Sequence, residues 1–117
     1  MSLPRLYALI PAAGSGARYG GDLPKQYLAL GGATMLEHAI AALLADTRID
    51  RVVVVVAPDD ARIDALRLDA RVRIARVGGA SRAASVRAGL AALHDFAAAD
   101  DWVLVHDAAR PCLSSRD

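Results

Sequence analysis

Apolar residues in this chain occur mainly in short continuous runs or at helical spacing. Residues 6–10, 52–57 and 102–105 are short apolar segments, and the second of them contains five valines. Such segments are typical of strands that are covered on both faces of a parallel sheet. Val72 and Ile74 alternate with Arg71 and Arg73, which predicts a half-exposed strand that continues to Val77.

The segments between these strands have helical signals. Thr34 and Glu37 have the spacing of a capping box, and apolar residues at 36, 40, 43 and 44 form one stripe of a helix that ends near Ala45. A turn at 58–60 leads into a weaker predicted helix over 61–68. The spacing of Val86, Leu90 and Leu93 predicts a third helix over 82–96.

Four strands with three intervening helices predict a single domain, a βαβαβαβ unit over residues 1–117 with a three-layer αβα, Rossmann-like, mostly parallel sheet. In open sheets of this kind, ligands bind outside the carboxyl ends of the strands. Residues 11–25, 78–85 and 106–111 follow three predicted strand ends. We therefore expect the functional residues to lie in these segments.

The composition argues against nucleic acid and membranes as partners. The 117 residues have a formal charge of +1, which does not favour nucleic acid as a partner. The longest uncharged apolar run, residues 52–58, is too short to cross a membrane. Cys112 is the single cysteine, so the chain has no internal disulfide and fits a reducing cytoplasm. We expect a cytoplasmic protein with no nucleic-acid or membrane partner.

The first of the three segments is rich in glycine and contains two cations. Four glycines occur at positions 14, 16, 20 and 21, and Arg18 and Lys25 lie among or just after them. Glycine lets backbone amides approach an anion, so the loop and its cations suit a triphosphate. The alternative is a flexible loop with solvated cations.

Two familiar phosphate motifs do not match this loop. The P-loop pattern requires Gly-Lys-Ser/Thr, whereas Lys25 lies between Pro24 and Gln26. The dinucleotide fingerprint requires a third glycine where Tyr19 stands. A P-loop is therefore excluded, and dinucleotide binding is disfavoured.

The second and third segments add polar groups at predicted strand ends. Gly79 precedes a helix whose N-cap is predicted to be Ser81, with Arg82 and Ser85 in its first turn; ordinary capping is the alternative to anion binding. Asp107 follows the last strand and is a candidate Mg²⁺ ligand, the alternative being a loop cap. His106 is expected to be structural.

Three stretches of this sequence, "PAAGSGARYGGDLPKQYLALGG", "GGASRAASVRAGL" and "VLVHDAARP", together resemble the 2-C-methyl-D-erythritol 4-phosphate cytidylyltransferases. These are CTP-dependent enzymes of the non-mevalonate isoprenoid pathway, with a nucleotide-diphospho-sugar transferase-like fold. The resemblance extends over residues 7–113. Ribitol 5-phosphate cytidylyltransferases share much of the pattern and remain an alternative, as does a nucleotide-binding module without catalysis.

The resemblance implies a role for each matching position. Arg18 and Lys25 would contact the CTP phosphates and stabilise the transition state, and Asp107 would bind Mg²⁺ and substrate. Arg110 would lie near the methylerythritol phosphate. The remaining implied nucleotide-binding residues are Pro11, Ala12, Ala13, Gly14, Gly16, Gly79, Arg82, Ser85 and Ala108.

The chain is about half as long as members of this family. We therefore expect it to be a truncated domain, the N-terminal half of a longer cytidylyltransferase, which is homodimeric at full length. The half that is not present would supply most of the acceptor-binding residues. The expected properties of residues 1–117 alone are weak CTP binding and negligible turnover.

Overall fold

The computed structural model describes residues 4–13, 25–94, 97–98 and 100–107. Within them, four strands form a parallel sheet, and a small antiparallel hairpin precedes the first helix. The elements in chain order are β1 (Leu6–Pro11), β2 (Ala29–Leu30), β3 (Ala33–Thr34), α1 (Met35–Leu44), β4 (Ile49–Val55), β5 (Val72–Ala75), α2 (Arg82–Leu93) and β6 (Trp102–Val105). None of the described helices is long and apolar enough to cross a membrane.

The strand order of the parallel sheet is β5-β4-β1-β6. The chain moves outward from β1 to β4 and β5, then returns to place β6 on the other side of β1. The direction of winding therefore reverses between β1 and β6. In open α/β sheets a crevice forms at this switch point, outside the carboxyl ends of the strands.

The sheet is covered on both faces, which confirms the predicted three-layer arrangement. Val52 and Val54 of β4 pack in one core cluster with Leu36 and Ile40 of α1. The intervening Val53 and Val55 belong to a second cluster with Leu93 of α2 and Leu9 of β1. Because successive strand side chains point to opposite faces, the run of valines in β4 contributes to both clusters.

Two of the three predicted helix starts are confirmed. At α1, the Glu37 amide donates to Thr34 Oγ1 at 3.1 Å, and the Thr34 amide donates to Glu37 Oε1 at 2.8 Å. At α2, Ser81 is the N-cap, and its Oγ accepts from the Ala84 amide at 3.1 Å. The α2 helix ends at Leu93, earlier than the predicted position 96.

The predicted helix over 61–68 is wrong. Only one 3₁₀ turn forms, at Arg62–Ala65, and Leu66 is already extended. The Asp60 carboxylate explains the short turn, because its Oδ1 accepts from the amides of Arg62 at 2.8 Å and Ile63 at 3.4 Å. A side chain that binds nearby amides favours a turn over a continued helix.

The bounds of β4 and β5 also differ from the prediction, and the β2–β3 hairpin was not predicted. The valine-rich strand β4 begins at Ile49 and ends at Val55, and β5 ends at Ala75. The β2–β3 hairpin turns at Gly31 and Gly32, whose φ values of 64° and 89° favour glycine. Its strands have only two residues each, too few for a periodic signal.

Candidate functional site

Three strand-end segments lie together at the carboxyl edge of the sheet. The Ala12 amide, just after β1, donates to the Val55 carbonyl at 2.7 Å, and the Gly78 amide donates to the Val56 carbonyl at 2.9 Å. The His106 amide, just after β6, donates to the Leu9 carbonyl at 3.0 Å. Residues 12–13, 78–79 and 106–107 therefore surround the switch point, as the sequence predicted.

Gly78 is required by a close approach between two of these segments. A Cβ at Gly78 would lie 2.1 Å from Ala13 Cβ and 2.8 Å from the Val56 carbonyl oxygen. Backbone and a short side chain block that position, so a larger residue would push the β1 end away from the β5 end. The structure thus assigns Gly78 a packing role that the sequence identified only as the end of a strand.

Ser85 is buried in the first turn of α2 and holds the loop before it. Its Oγ accepts from the Gly79 amide at 3.1 Å and lies 3.5 Å from the Gly79 carbonyl oxygen. The side chain is almost inaccessible to solvent. Ser85 therefore fixes the backbone of the Gly79 loop relative to α2, which is a physical reason for a serine at this position.

Arg82 and Asp107, two predicted site residues from different segments, form an ion pair. Arg82 Nε donates to Asp107 Oδ1 at 2.9 Å, which connects the first turn of α2 to the end of β6. The side chains are 59% and 39% exposed, so the pair lies at the rim of the switch point rather than in the core. A partly exposed carboxylate here can be reached by a charged ligand.

The residues at this rim can be compared with the ligands that a Mg²⁺ ion requires. No group of three or more His, Cys, Asp or Glu side chains that could hold a metal occurs in the described part of the chain. Mg²⁺ in nucleotide sites commonly takes one or two carboxylates and obtains its other ligands from phosphates and water. Asp107 fits that pattern as a single protein ligand, and it does not fit a metal held by protein groups alone.

Lys25 begins a single 3₁₀ turn, Lys25–Tyr27, that leads into the hairpin. Gln26 and Tyr27, which the sequence did not single out, are both buried, and both are bonded to segments that follow strands. Gln26 Nε2 donates to the Ala12 carbonyl at 2.9 Å, and the Tyr27 hydroxyl donates to Asp60 Oδ2. Burial and the neighbouring Asp60 carboxylate raise the pKa of Tyr27 above its ordinary value.

Some predicted site residues cannot be placed. Gly14, Gly16, Arg18, Ala108 and Arg110 lie outside the described residues. Their roles, and the position of the Lys25 side chain, remain predictions. The remaining predicted residues lie at the carboxyl edge or in the turns beside it: Pro11, Ala12, Ala13, Gly79, Arg82, Ser85 and Asp107.

A groove elsewhere on the protein contains none of the predicted site residues. It has a volume of about 380 Å³ and lies between α1 and residues 67–71, with Ile40, Leu44 and Leu68 as apolar lining and Glu37 and Arg71 among its charged groups. It is thus formed by α1 and the chain that enters β5, not by the strand ends. This groove is a useful reference surface for ligand-mapping experiments.

A parallel sheet of this order, covered by helices on both faces and with polar groups at its switch point, belongs to the class of doubly wound α/β folds that bind ligands at that crevice. A crystal structure of a 4-diphosphocytidyl-2C-methyl-D-erythritol synthase superposes with a TM-score of 0.84 at 39% identity, covering 99% of this chain and 52% of that one. The 2-C-methyl-D-erythritol 4-phosphate cytidylyltransferase of Francisella tularensis superposes with a TM-score of 0.75 at 33% identity, covering 96% and 48%.

The chain belongs to the 2-C-methyl-D-erythritol 4-phosphate cytidylyltransferase (IspD) family, whose model matches residues 6–117. It is 59% identical over 113 residues to the protein of that name from Laribacter hongkongensis, covering 95% of this chain and 48% of that protein. The Dechloromonas aromatica protein of the same name is 55% identical over 116 residues, covering 97% and 51%. The chain thus spans about half the length of these relatives.

Proposed function

We propose that this chain is the nucleotide-binding half of a cytidylyltransferase. The reaction would join CTP to 2-C-methyl-D-erythritol 4-phosphate, giving CDP-methylerythritol and pyrophosphate in isoprenoid biosynthesis. The observation that supports it most is the convergence of three strand-end segments at the switch point, where Arg82 and Asp107 meet at 2.9 Å. Family membership, with relatives that have this name, supports the choice of CTP and 2-C-methyl-D-erythritol 4-phosphate as substrates.

The chemistry needs no side chain that removes a proton. The phosphate of the acceptor is already an anion, and it attacks the α-phosphorus of CTP as pyrophosphate leaves. The protein has to hold two polyanions in line and stabilise charge on the transferring group. Cations and oriented backbone amides perform this task, so the reaction requires no nucleophile–base pair.

The proposed roles follow the three segments. Arg18 and Lys25 would neutralise the CTP phosphates and stabilise the transition state. The Gly79 loop, held by Ser85, would face the cytosine, and Arg82 would lie beside it. The backbone around the nucleotide would come from Pro11, Ala12, Ala13, Gly14, Gly16 and Ala108, and Arg110 would approach the methylerythritol phosphate.

Magnesium is part of the proposal. When bound, Mg²⁺ would neutralise phosphate charge as CTP reacts, and Asp107 is the described residue that would hold it. The pairing of Asp107 with Arg82 orients the carboxylate at the end of β6 before ligand arrives. We further propose a cytoplasmic location and, for a protein of full family length, a homodimer.

The proposal is tested by measuring pyrophosphate release in a protein of full family length that contains this sequence. Release with CTP and 2-C-methyl-D-erythritol 4-phosphate supports the assignment, and faster release with ribitol 5-phosphate would contradict the acceptor. We expect Arg18→Ala or Lys25→Ala to lower turnover by about 10²-fold, a few kcal/mol of barrier. Arg71→Ala, which removes a cation from the groove beside α1, is the matched control and is expected to retain normal turnover.

The 117-residue chain is examined separately by calorimetry with CTP and Mg²⁺. We expect weak binding and negligible pyrophosphate release, because most of the acceptor-binding residues are expected in the other half. Release at a rate near that of the full-length protein would contradict this part of the proposal.

A further inference from the structure

We propose that Gln26 and Tyr27 are positioning residues that fix the backbone of Lys25 at the carboxyl edge of the sheet. This inference rests on the proposed function, in which Lys25 binds the CTP phosphates. It adds two residues whose hydrogen bonds determine the position of the Lys25 backbone, from which the side chain extends. Neither residue would itself contact the nucleotide.

The geometry consists of two bonds from adjacent residues to the segments that follow two different strands. Gln26 Nε2 donates to the carbonyl of Ala12, directly after β1, at 2.9 Å. Tyr27 donates its hydroxyl to Asp60, which lies five residues beyond the end of β4. The 3₁₀ turn that begins at Lys25 is therefore bonded both to the residue directly after β1 and to the loop that follows β4, the two central strands.

The Gln26 bond is buried and the Tyr27 bond is partly buried. Gln26 is 9% and Tyr27 is 6% exposed, and Tyr27 belongs to the core cluster beneath α1. A hydrogen bond shielded from water is harder to replace by solvent, and losing one partner leaves a polar group without its bond. The Met35 amide also donates to the Leu28 carbonyl at 2.8 Å, which fixes the chain just after the turn to the start of α1.

The two bonds lower the entropy cost of ordering Lys25 when it binds a phosphate. A lysine on a mobile segment must lose backbone freedom as well as side-chain freedom when it binds a phosphate. If Gln26 and Tyr27 have already fixed the backbone, only the side chain has to be ordered. Breaking either bond should therefore weaken phosphate binding through Lys25 without removing any charge.

The first test measures the local opening of the turn and needs no nucleotide. Trypsin cuts the Lys25–Gln26 bond only when the segment opens, and the rate reports the population of that open state. Loss of one shielded hydrogen bond should speed the cut by about five- to tenfold in Tyr27→Phe and in Gln26→Met. The cut after Arg48, in an exposed turn, is the internal reference.

Tyr7→Phe is the matched control for this test. Tyr7 is also a buried tyrosine with a carboxylate partner, Asp101, but that pair lies at the amino end of β6. We expect it to change the cut after Lys25 by less than twofold. Unchanged cleavage after Lys25 in both Tyr27→Phe and Gln26→Met would overturn the inference.

The second test asks whether the two residues act through Lys25. In calorimetry with CTP and Mg²⁺, Tyr27→Phe should weaken binding about fivefold in the wild-type background and less than twofold in a Lys25→Ala background. An equal loss in both backgrounds would overturn the positioning role. Absence of CTP binding by the unmodified chain would contradict the proposed function instead, and the cleavage test would still decide the inference.

Discussion

Arg82 Nε and Asp107 Oδ1 lie 2.9 Å apart, although 25 positions separate these residues in the sequence. The contact joins the helix that follows β5 to the end of β6, on the two sides of β1 in the sheet. A cation and a carboxylate thus meet where the strand order reverses. A nucleotide with its metal ion would encounter both charges there.

Asp107→Asn removes the charge of the proposed metal ligand. We expect Mg²⁺-dependent CTP binding to weaken by about tenfold, measured by calorimetry. The stability of the chain should change by less than about 1 kcal/mol, because exposed ion pairs contribute little.

Asp69→Asn is the control for this prediction. Asp69 accepts from Arg71 at 3.1 and 3.2 Å in a pair of similar exposure, at the amino end of β5. CTP binding should be unaffected by this change. Equal CTP affinities in the Asp107 variant and in the unmodified chain would exclude Asp107 as a metal ligand.

Ser85→Ala removes the hydroxyl that holds the Gly79 loop. Since the Gly79 amide loses its 3.1 Å partner in a partly buried setting, we expect a loss of about 1 kcal/mol of stability. Hydrogen exchange at the Gly79 amide should accelerate. Ser81→Ala, which loses an exposed helix cap, should cost about 1 kcal/mol while leaving Gly79 protected. Unchanged exchange at Gly79 in the Ser85 variant would contradict this role.

Gly89→Ala adds a methyl group between α2 and the sheet. The new Cβ would lie 2.6 Å from both Leu9 Cδ1 and Val55 Cγ2, which are fully buried. Because two side chains have to shift, we expect the overpacking to cost about 2–3 kcal/mol, against a gain of about 1 kcal/mol in helix propensity. We therefore expect denaturant unfolding to show a net loss of stability. Ala91→Gly, at an exposed helical position, measures the propensity alone, and a Gly89 variant more stable than the unmodified chain would refute the packing argument.

Tyr27 gives the stability of the chain a pH dependence above neutrality. Its pKa in the folded state is raised by burial and by Asp60, whereas the unfolded chain ionises near the ordinary value of about 10. The contribution of Tyr27 is complete below about pH 10 and is lost as the pH rises through the range where only the unfolded state ionises. Tyr27→Phe abolishes this loss.

The measurement is denaturant unfolding of both proteins at pH 9, 10 and 11. The stability advantage of the unmodified chain over Tyr27→Phe should shrink by up to about 1.4 kcal/mol per pH unit above pH 10. A constant difference across this range would show that Tyr27 ionises equally easily in the folded and unfolded states.

Local patterns were sufficient to predict much of the fold. The valines of β4 do not alternate with polar residues because both faces of the strand are covered. The start of α1 is defined by hydrogen bonds between Thr34 and Glu37, which are only three positions apart in the sequence. The helix over 61–68 was predicted wrongly because Asp60 binds the amides of the next turn. Whether an aspartate caps a turn or remains solvated depends on its neighbours in space, which the hydrophobic pattern of the sequence does not reveal.

The site could be predicted to the level of segments. Three motifs that each follow a strand must meet at one edge of a parallel sheet, so their convergence followed from the element order. The bonds of Gln26 and Tyr27 could not be predicted, because their partners lie 14 and 33 positions away and depend on how the turn packs. No sequence period relates such residues.

The most direct test of the central claim is amide NMR of the 117-residue chain titrated with CTP and Mg²⁺. We predict that the largest chemical-shift changes among the described residues occur at the carboxyl edge of the sheet, at Ala12, Ala13, Gly79, Arg82 and Asp107. The groove beside α1, including Leu44 and Leu68, should show little change. Changes confined to that groove, or an absence of changes at the strand ends, would contradict the account.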